Sequence, residues 1–241
     1  REAVQEPPLL YDLTALQKEA NGKLDFSADK TLTLAQSLYE KKVLSYPRTG
    51  SRYISEDVFE EIPSRITLLQ QYPRFATIAS ALRDTPLNRR PVDDAKVTDH
   101  HALLPTKSMA NADLAALPAG ERNILRLIAA RLLCAVGEPY CYAETTLTTI
   151  CAGAEFTAKG KVVLSEGWKV VERKMLGELL GKQKEPAVLP DVQEQSQCSV
   201  AGAELKEGQT SPPKAYTEDT LLSAMQAAGA DSMPEGVERQ G

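Results

Sequence analysis

A chain of 241 residues with a formal net charge of −5 is long enough to bury one large core or two smaller ones. Its 42% apolar and 25% charged content is ordinary for a soluble globular protein, and no apolar run approaches the ~20 residues of a membrane helix. The acidic balance argues mildly against a nucleic-acid partner, because phosphate binding usually leaves a basic footprint. The opening Arg1-Glu2-Ala3-Val4-Gln5-Glu6 has no apolar stretch behind it, so no signal peptide is expected. Cys134, Cys141, Cys151 and Cys198 form no Cys-x-x-Cys pair, which argues against a zinc ribbon and for free thiols in a reducing cytoplasm. The two histidines, His100 and His101, are adjacent. Neighbours in sequence point apart on a helix or strand, which argues against a two-histidine metal site.

In chain order, a short helix is expected to end at residues 17–21, with Gly22 as its C′ residue. Residues 27–41 read as an amphipathic helix with Ser27 as N-cap. Leu32, Ala35, Leu38 and Tyr39 recur at helical spacing. Its role is to present residues 43–53. Residues 56–62 and 65–81 read as helical and broken by Pro63 and Pro73, and 83–97 as an irregular loop. A second helical stretch covers 114–136. The period then changes: 143–152, 155–164 and 167–173 alternate and are rich in β-branched residues, with Gly153 at the first junction and 165–167 at the second. Residues 188–193 and 197–205 are candidate further strands, 176–186 a flexible insert and 207–213 a linker. Thr217 opens a last helix over 220–228 that ends at Gly229, and 233–241 is polar. No internal repeat is visible.

One stretch runs against the acidic background. Between Lys41 and Tyr53 stand Lys41, Lys42, Arg48 and Arg52, with no acidic residue. A tyrosine, Tyr46, lies among them, with Pro47 and Gly50 shaping the backbone. Arginine forks match phosphate oxygens in a bidentate way. A phenol held beside them has the means to attack a phosphodiester and keep it as a covalent ester. The plain alternative is a surface tyrosine–arginine pair at an ordinary Tyr-Pro turn.

The run Tyr46-Pro47-Arg48-Thr49-Gly50-Ser51-Arg52-Tyr53 resembles the active-site motif of the type IA DNA topoisomerases, in particular their bacterial topoisomerase III branch, which reads Tyr-Pro-Arg-Thr-Asp-Ser-Arg-Tyr. Seven of these eight positions match, and Gly50 departs. The similarity continues in the family's order. Upstream lie Pro7-Pro8-Leu9-Leu10-Tyr11-Asp12-Leu13, Phe26-Ser27-Ala28-Asp29-Lys30-Thr31-Leu32 and Ala35-Gln36-Ser37-Leu38-Tyr39-Glu40. Downstream, Asp99-His100-His101-Ala102-Leu103-Leu104-Pro105-Thr106 resembles a His-His-Ala-Ile-Ile-Pro-Thr segment, and Thr210-Ser211-Pro212-Pro213-Lys214-Ala215-Tyr216-Thr217-Glu218 resembles the return to the base domain.

The resemblance implies an α+β multidomain arrangement, the central region of such an enzyme. Residues 1–9 would end a first arch segment, and 10–108 would form the helical domain bearing the tyrosine. Residues 112–208 would form the returning, curved β-rich arch domain, and 210–241 would begin the last base-domain segment. It implies Tyr46 as nucleophile, Arg48 as phosphate clamp and His100 beside the scissile phosphate, with His101 as the fallback one residue on. Lys30, Gln36, Lys41, Ser51 and Arg52 are implied DNA contacts. Trp168 is read as core packing.

The function implied is cleavage and resealing of single-stranded DNA through a 5′-phosphotyrosyl bond, with strand passage and no ATP. No Gly-x-x-x-x-Gly-Lys-Ser/Thr sequence is present. Magnesium is expected in a TOPRIM domain that this chain lacks. The chain then reads as an excised central fragment, inactive alone, with no metal ligands of its own. Single-stranded DNA is the expected partner, with room for a helicase in the full-length protein and no membrane, in a nucleoid-associated cytoplasmic setting. The rival reading is a non-catalytic DNA- or partner-binding module, with Gly50 marking lost activity.

Overall fold

Residues 119–135 combine strong helix formers with apolar residues on nearly every side. They fold as a helix from which Ile124, Leu127, Ile128, Ala129, Ala130, Leu132 and Leu133 are all but inaccessible. A helix that is apolar around its circumference belongs inside a protein. The other elements surround it in this computed structural model, which describes residues 1–83, 85–180 and 187–228. In order they are β1 (Glu2–Gln5), α1 (Leu13–Leu24), α2 (Ala28–Glu40), α3 (Glu56–Glu60), α4 (Ile62–Leu69) and α5 (Pro73–Arg83). There follow the central helix α6 (Ala119–Ala135), β2 (Tyr140–Cys151), β3 (Ala154–Ser165), α7 (Trp168–Leu176) and α8 (Glu218–Ala227). The result is helices plus a small antiparallel sheet, an α+β arrangement.

The sheet has the order β1-β2-β3, with Val4 opposite Cys141 and Thr148 opposite Thr157. Ala152 and Gly153 join β2 to β3 with φ of 50° and 81°. Two successive positive φ values are what a tight hairpin turn requires, and glycine supplies the second without strain. The outer half of this hairpin carries Ile150 and Phe156 in solvent, at 72% and 59% exposure. The hairpin's base, not its tip, joins the core. Core residues come from both sides of residues 108–112, from Leu10 through Leu104 to Met175.

Ser27 caps α2 as expected, accepting from the Lys30 N–H at 3.1 Å. Other expectations are corrected. α1 runs through Gly22 to Leu24, because Asp25 takes the left-handed position (φ 54°) and its N–H reaches the Asn21 carbonyl. Pro63 and Pro73 begin α4 and α5 instead of breaking them. A proline costs nothing in the first turn, where its missing N–H has no intrahelical partner. α6 starts at Ala119 and not at 114, because Pro118 holds the residue before it out of the helical region.

Residues 167–173 are helical, not a strand. Trp168, Val171 and Met175 bury one face of α7 at helical spacing, and that periodicity outweighs the local β-branched pair Val170-Val171. The Trp168 indole Nε1–H donates to the Gln5 carbonyl at 3.2 Å. Residues 188–193 and 197–205 form no strand. Apart from Leu189, which lies over Gly160, their side chains are exposed, so no alternating face is buried. Only the Lys161 N–H bond to the Ala187 carbonyl ties the neighbouring residue to β3. Within the expected insert, 176–180 closes α7, and 181–186 lies outside the described residues. The last helix begins after Thr217, whose side chain and that of Thr220 make a reciprocal cap. Its expected end at Gly229 and the polar 233–241 also lie outside the described residues.

Gly167 connects the hairpin to α7 with φ 43° and ψ −136°. A Cβ there would stand 2.1 Å from the Pro139 carbonyl oxygen. Gly167→Ala is therefore expected to destabilise the fold by more than about 2 kcal/mol. The check is the urea midpoint of the variant against that of Gly153→Ala, which meets nothing within 4 Å and has only the positive φ to bear.

Candidate active site

α2 ends in a left-handed turn. Lys42 has φ 60°, its N–H reaches the Tyr39 carbonyl at 2.8 Å, and the Val43 N–H reaches the Leu38 carbonyl at 2.9 Å. This pair of bonds closes the last turn and throws the chain out sideways. Val43 and Leu44 then bury themselves, and the backbone finds a partner in residues 103–106. Thr106 N–H donates to the Val43 carbonyl (3.0 Å), Ser45 N–H to the Leu104 carbonyl (3.0 Å), and Leu104 N–H to the Ser45 hydroxyl (2.9 Å). Leu44 and Pro105 form the antiparallel bridge. Buried Arg65 of α4 holds the same strand from behind, donating to the Pro105 carbonyl at 2.6 Å and pairing with Glu61 at 2.9 Å.

The following residues are tied down equally densely. Buried Thr49 donates from its hydroxyl to the His100 carbonyl (3.0 Å), and its own carbonyl accepts from Leu13 N–H (3.1 Å). Ser51 donates to the Lys96 carbonyl at 2.8 Å and accepts from Tyr53 N–H at 3.1 Å. Ala102 N–H donates to the Tyr53 carbonyl. Two distant pieces of sequence, 43–54 and 91–106, therefore share one hydrogen-bonded layer.

That layer brings Tyr46 and His100 together. Their ring centroids are 4.5 Å apart at 46°. Tyr39, from the last turn of α2, meets Tyr46 edge-on at 5.4 Å. Edge-to-face and tilted contacts of this kind hold a ring's orientation and contribute about 0.5–1.5 kcal/mol each beyond burial. Tyr46 is half-buried, while Arg48 and His100 are exposed. Among the described residues, neither the Tyr46 hydroxyl nor the Arg48 guanidinium has a hydrogen bond or ion pair. A phenol and an imidazole thus meet, and an exposed arginine with no partner among the described residues stands two residues along the same loop.

The other candidate residues are dispersed. His101 turns its Nδ1 to the Ala102 carbonyl at 2.6 Å, and the ring contact with Tyr46 belongs to His100. Ser51 is buried, and in this conformation it presents no group to a ligand. Arg52 donates from Nε to the Leu10 carbonyl at 3.2 Å and lines a polar cleft of about 500 Å³ with Lys18, Lys23, Arg131 and Asp219. Its charge also favours ionisation of the nearby Asp12, the N-cap of α1, against the stronger opposing effect of burial. Gln36 donates to Glu40. Lys30 sits over the Phe26 ring at 3.9 Å, nine residues and roughly 14 Å of helix from Tyr39. Lys41 is paired with both carboxylate oxygens of buried Glu121, at 2.7 and 2.6 Å, and Ser37 donates to the same carboxylate at 2.9 Å.

Helical spacing sets Tyr39 among the apolar residues of α2 and not among the site residues, yet it is 40% exposed and packs on Tyr46. An aromatic at the end of a helix, one turn before the Tyr46 loop, is the signal that could have found it. The buried clamp Arg65 had no such signal. Among the described residues no group of three or more His, Cys, Asp or Glu stands together to hold a metal ion.

Because Lys41 neutralises a carboxylate that is only 6% exposed, removing it leaves a buried charge unpaired. Lys41→Ala is expected to cost about 1–3 kcal/mol, discounted for the half-exposed ammonium. Lys42→Met at the neighbouring exposed position stays within about 0.5 kcal/mol. Chemical denaturation of the two variants separates them.

Comparison with known proteins gives the chain's family. The sequence pattern that defines the DNA topoisomerase family matches residues 1–230. The chain is 40% identical over 225 residues to DNA topoisomerase 3 of Bacillus licheniformis, covering 92% of this chain and 30% of that protein. It is 37% identical over 226 residues to DNA topoisomerase 3 of Bacillus subtilis, covering 92% and 31%. The fold is similar to that of full-length topoisomerase I from Thermotoga maritima, with a TM-score of 0.63 at 21% identity over 95% of this chain and 36% of that one. The chain spans about 30% of the length of the curated relatives it matches, and with a family pattern over nearly all of it, it belongs to the type IA DNA topoisomerases.

Proposed function

We propose that this chain is the tyrosine-bearing central part of an enzyme that cleaves and reseals single-stranded DNA. The Tyr46 phenolic oxygen attacks a backbone phosphorus. The bond to the 3′ oxygen breaks, that oxygen leaves with a proton, and the 5′ phosphate stays on Tyr46 as an ester. Attack by the 3′ hydroxyl on the same phosphorus reverses each change. The ester conserves the energy of the original bond, so no ATP is needed. Arg48 lies two residues from the nucleophile and neutralises charge on the non-bridging oxygens. His100 donates a hydrogen bond to the phosphate or carries the leaving group's proton. The observation that carries this reading is the contact of the Tyr46 and His100 rings at 4.5 Å, with Arg48, exposed and unpaired among the described residues, two residues from Tyr46.

Residues 1–9 and 112–208 serve on this reading as parts of a curved arch, 10–108 as the tyrosine domain and 210–241 as the start of the last base segment. Lys30, Gln36, Lys41 and Arg52 border the path of the strand, and Ser51 keeps the loop in shape. Magnesium belongs to a TOPRIM domain elsewhere in the whole protein, and no step here is routed through it. The chain alone binds a strand without cutting it. The setting is the nucleoid in the cytoplasm, with a helicase as a candidate partner. Among the described residues no helix is long and apolar enough to cross a membrane.

In the full-length protein that contains this chain, Tyr46→Phe is expected to abolish covalent capture of an oligonucleotide while leaving the unfolding midpoint within about 0.5 kcal/mol. Denaturing gel electrophoresis of the reaction reads the adduct. Undiminished adduct would end the nucleophile assignment, and no adduct from the parent would favour the non-catalytic module.

Gly50 is exposed, does not have a left-handed φ, and a Cβ there meets nothing within 4 Å. Gly50→Asp therefore enters without strain. Its carboxylate, two residues from Arg48, is placed to hold the guanidinium by a charge-assisted bond. Relaxation of supercoiled DNA at matched salt is expected to stay equal or rise in this variant. A fall of more than about tenfold, or ~1.4 kcal/mol in barrier, would show that Arg48 takes a different partner.

A further inference from the structure

Residues 140–169 build a second cationic cluster, on elements separate from the tyrosine loop. Tyr140 and Tyr142 stand two apart on β2 with ring centroids 5.3 Å from each other. Lys161 of β3 lays its ammonium 3.4 Å from the Tyr142 centroid and 4.8 Å from that of Tyr140. Lys169 of α7 places its ammonium 4.2 Å from the Tyr140 centroid. Two lysines from different elements thus converge on one tyrosine ring. Aromatic faces attract cations, but two cations over one ring also repel each other.

No carboxylate resolves that repulsion directly. Among the described residues Lys159, Lys161 and Lys169 make no ion pair, and Glu144, opposite Lys161 in the register, forms none either. Glu172 acts on Lys169 from a distance but is itself paired with Lys23. Lys169 is held below its ordinary value, first by burial and then by the Lys161 charge. An open polar cavity of about 260 Å³ continues the patch, lined by Lys159, Lys161, Thr145 and Thr146 and, as its one carboxylate, by Glu144. Lys159 follows Lys161 on the same strand face, roughly 7 Å further along.

We propose that Lys161 and Lys169 form a phosphodiester-binding site on the sheet, extended by Lys159 and floored by Tyr140 and Tyr142, that holds a nucleic-acid strand apart from the Tyr46 loop. The chemistry it recognises is a bridging anion with a second anion one step along, which a polynucleotide backbone supplies and a single small anion does not. A backbone that neutralises two clustered lysines releases counterions and removes their mutual repulsion together. Base stacking on the half-buried Tyr142 ring favours a single strand over a duplex. The identity of the ligand as a DNA strand rests on the reading of this chain as part of a DNA-cleaving enzyme.

Trp168, the sole tryptophan, makes the site observable. Its ring centroid is 5.6 Å from the Lys169 ammonium. The chain is titrated with an oligothymidylate, with a duplex of equal length and with inorganic phosphate, following Trp168 emission and, by anisotropy, affinity across a salt series. The oligothymidylate is expected to change Trp168 emission. In the variant Lys161→Gln/Lys169→Gln that change is lost, and the slope of log affinity against log salt becomes shallower by about 1.4, for two released contacts to a single strand. Lys161→Arg/Lys169→Arg, which keeps both charges, restores binding and guards against a folding artefact.

A response to strand and duplex alike supports a backbone site without stacking. A response to inorganic phosphate alone overturns the strand assignment, and an unchanged slope in the Gln variant overturns the site. The two readings fail separately. Loss of Tyr46 adduct chemistry removes the cleavage reading and leaves this binding measurement standing. Normal adduct with an unchanged Gln-variant slope removes only the second site.

Discussion

The constraint on which the site depends is that buried backbone must find hydrogen-bond partners. Residues 43–54 leave α2 and pass through the interior as irregular chain, with Val43, Leu44, Thr49, Ser51 and Ile54 all buried. Their N–H and carbonyl groups are met by residues 91–106: Val43 and Ser45 pair with Thr106 and Leu104, Tyr53 with Ala102, and Ile54 with Pro91 and Asp93. Thr49 and Ser51 complete the pairing with side-chain hydroxyls where the backbone directions diverge. The position of His100 against Tyr46 follows from this stitching. Each ring stands where a neighbouring backbone bond leaves it, and neither needs a bond of its own.

Buried charge extends the same logic to the helices. Glu121 sits near the start of α6 and Arg126 a turn and a half later, at 5% and 8% exposure. Glu121 takes Lys41 and Ser37 from α2, and Arg126 donates to the Met175 carbonyl of α7 at 2.6 Å. An interior ion is tolerable only when its partners stand in fixed places. These bonds therefore set how α2 and α7 lie against α6. Since α2 carries Tyr39 and leads directly into Tyr46, the register of α2 on the core is also the register of the site.

An overall charge of −5 still leaves locally positive surface, because cations here fall into two groups. Lys41, Lys107 and Arg173 are balanced by Glu121, Glu61 and Glu166 and contribute little field beyond their pairs. Arg48, Lys159 and Lys161 of β3 and Lys169 of α7 have no such counterion among the described residues. Local potential follows from which charges are unpaired, not from their sum.

The helix starts at Ser27 and Thr217, the hairpin turn at Gly153 and the Tyr46–Tyr53 motif were all legible in the sequence. Each of these rests on a few neighbouring residues: a cap hydroxyl, a positive-φ glycine, a run of adjacent side chains. It misassigned 167–173 because two β-branched residues are a local signal, whereas the burial of Trp168, Val171 and Met175 against α6 is decided by a surface elsewhere in the chain. It suggested strands at 188–193 and 197–205, where the chain leaves the β3 edge after the single Lys161–Ala187 bond and stays largely exposed. It could name Tyr46 and His100 but not the 4.5 Å contact between their rings. It set Tyr39 in the apolar pattern of α2 and not beside Tyr46, and it named Lys41 as a DNA contact without the Glu121 carboxylate, 80 residues away, that pairs with it. Capping and turn chemistry act over three or four residues and are legible in order. Ring contacts, buried ion pairs and uncommitted lysines depend on which distant segments meet, and only the tertiary structure decides that.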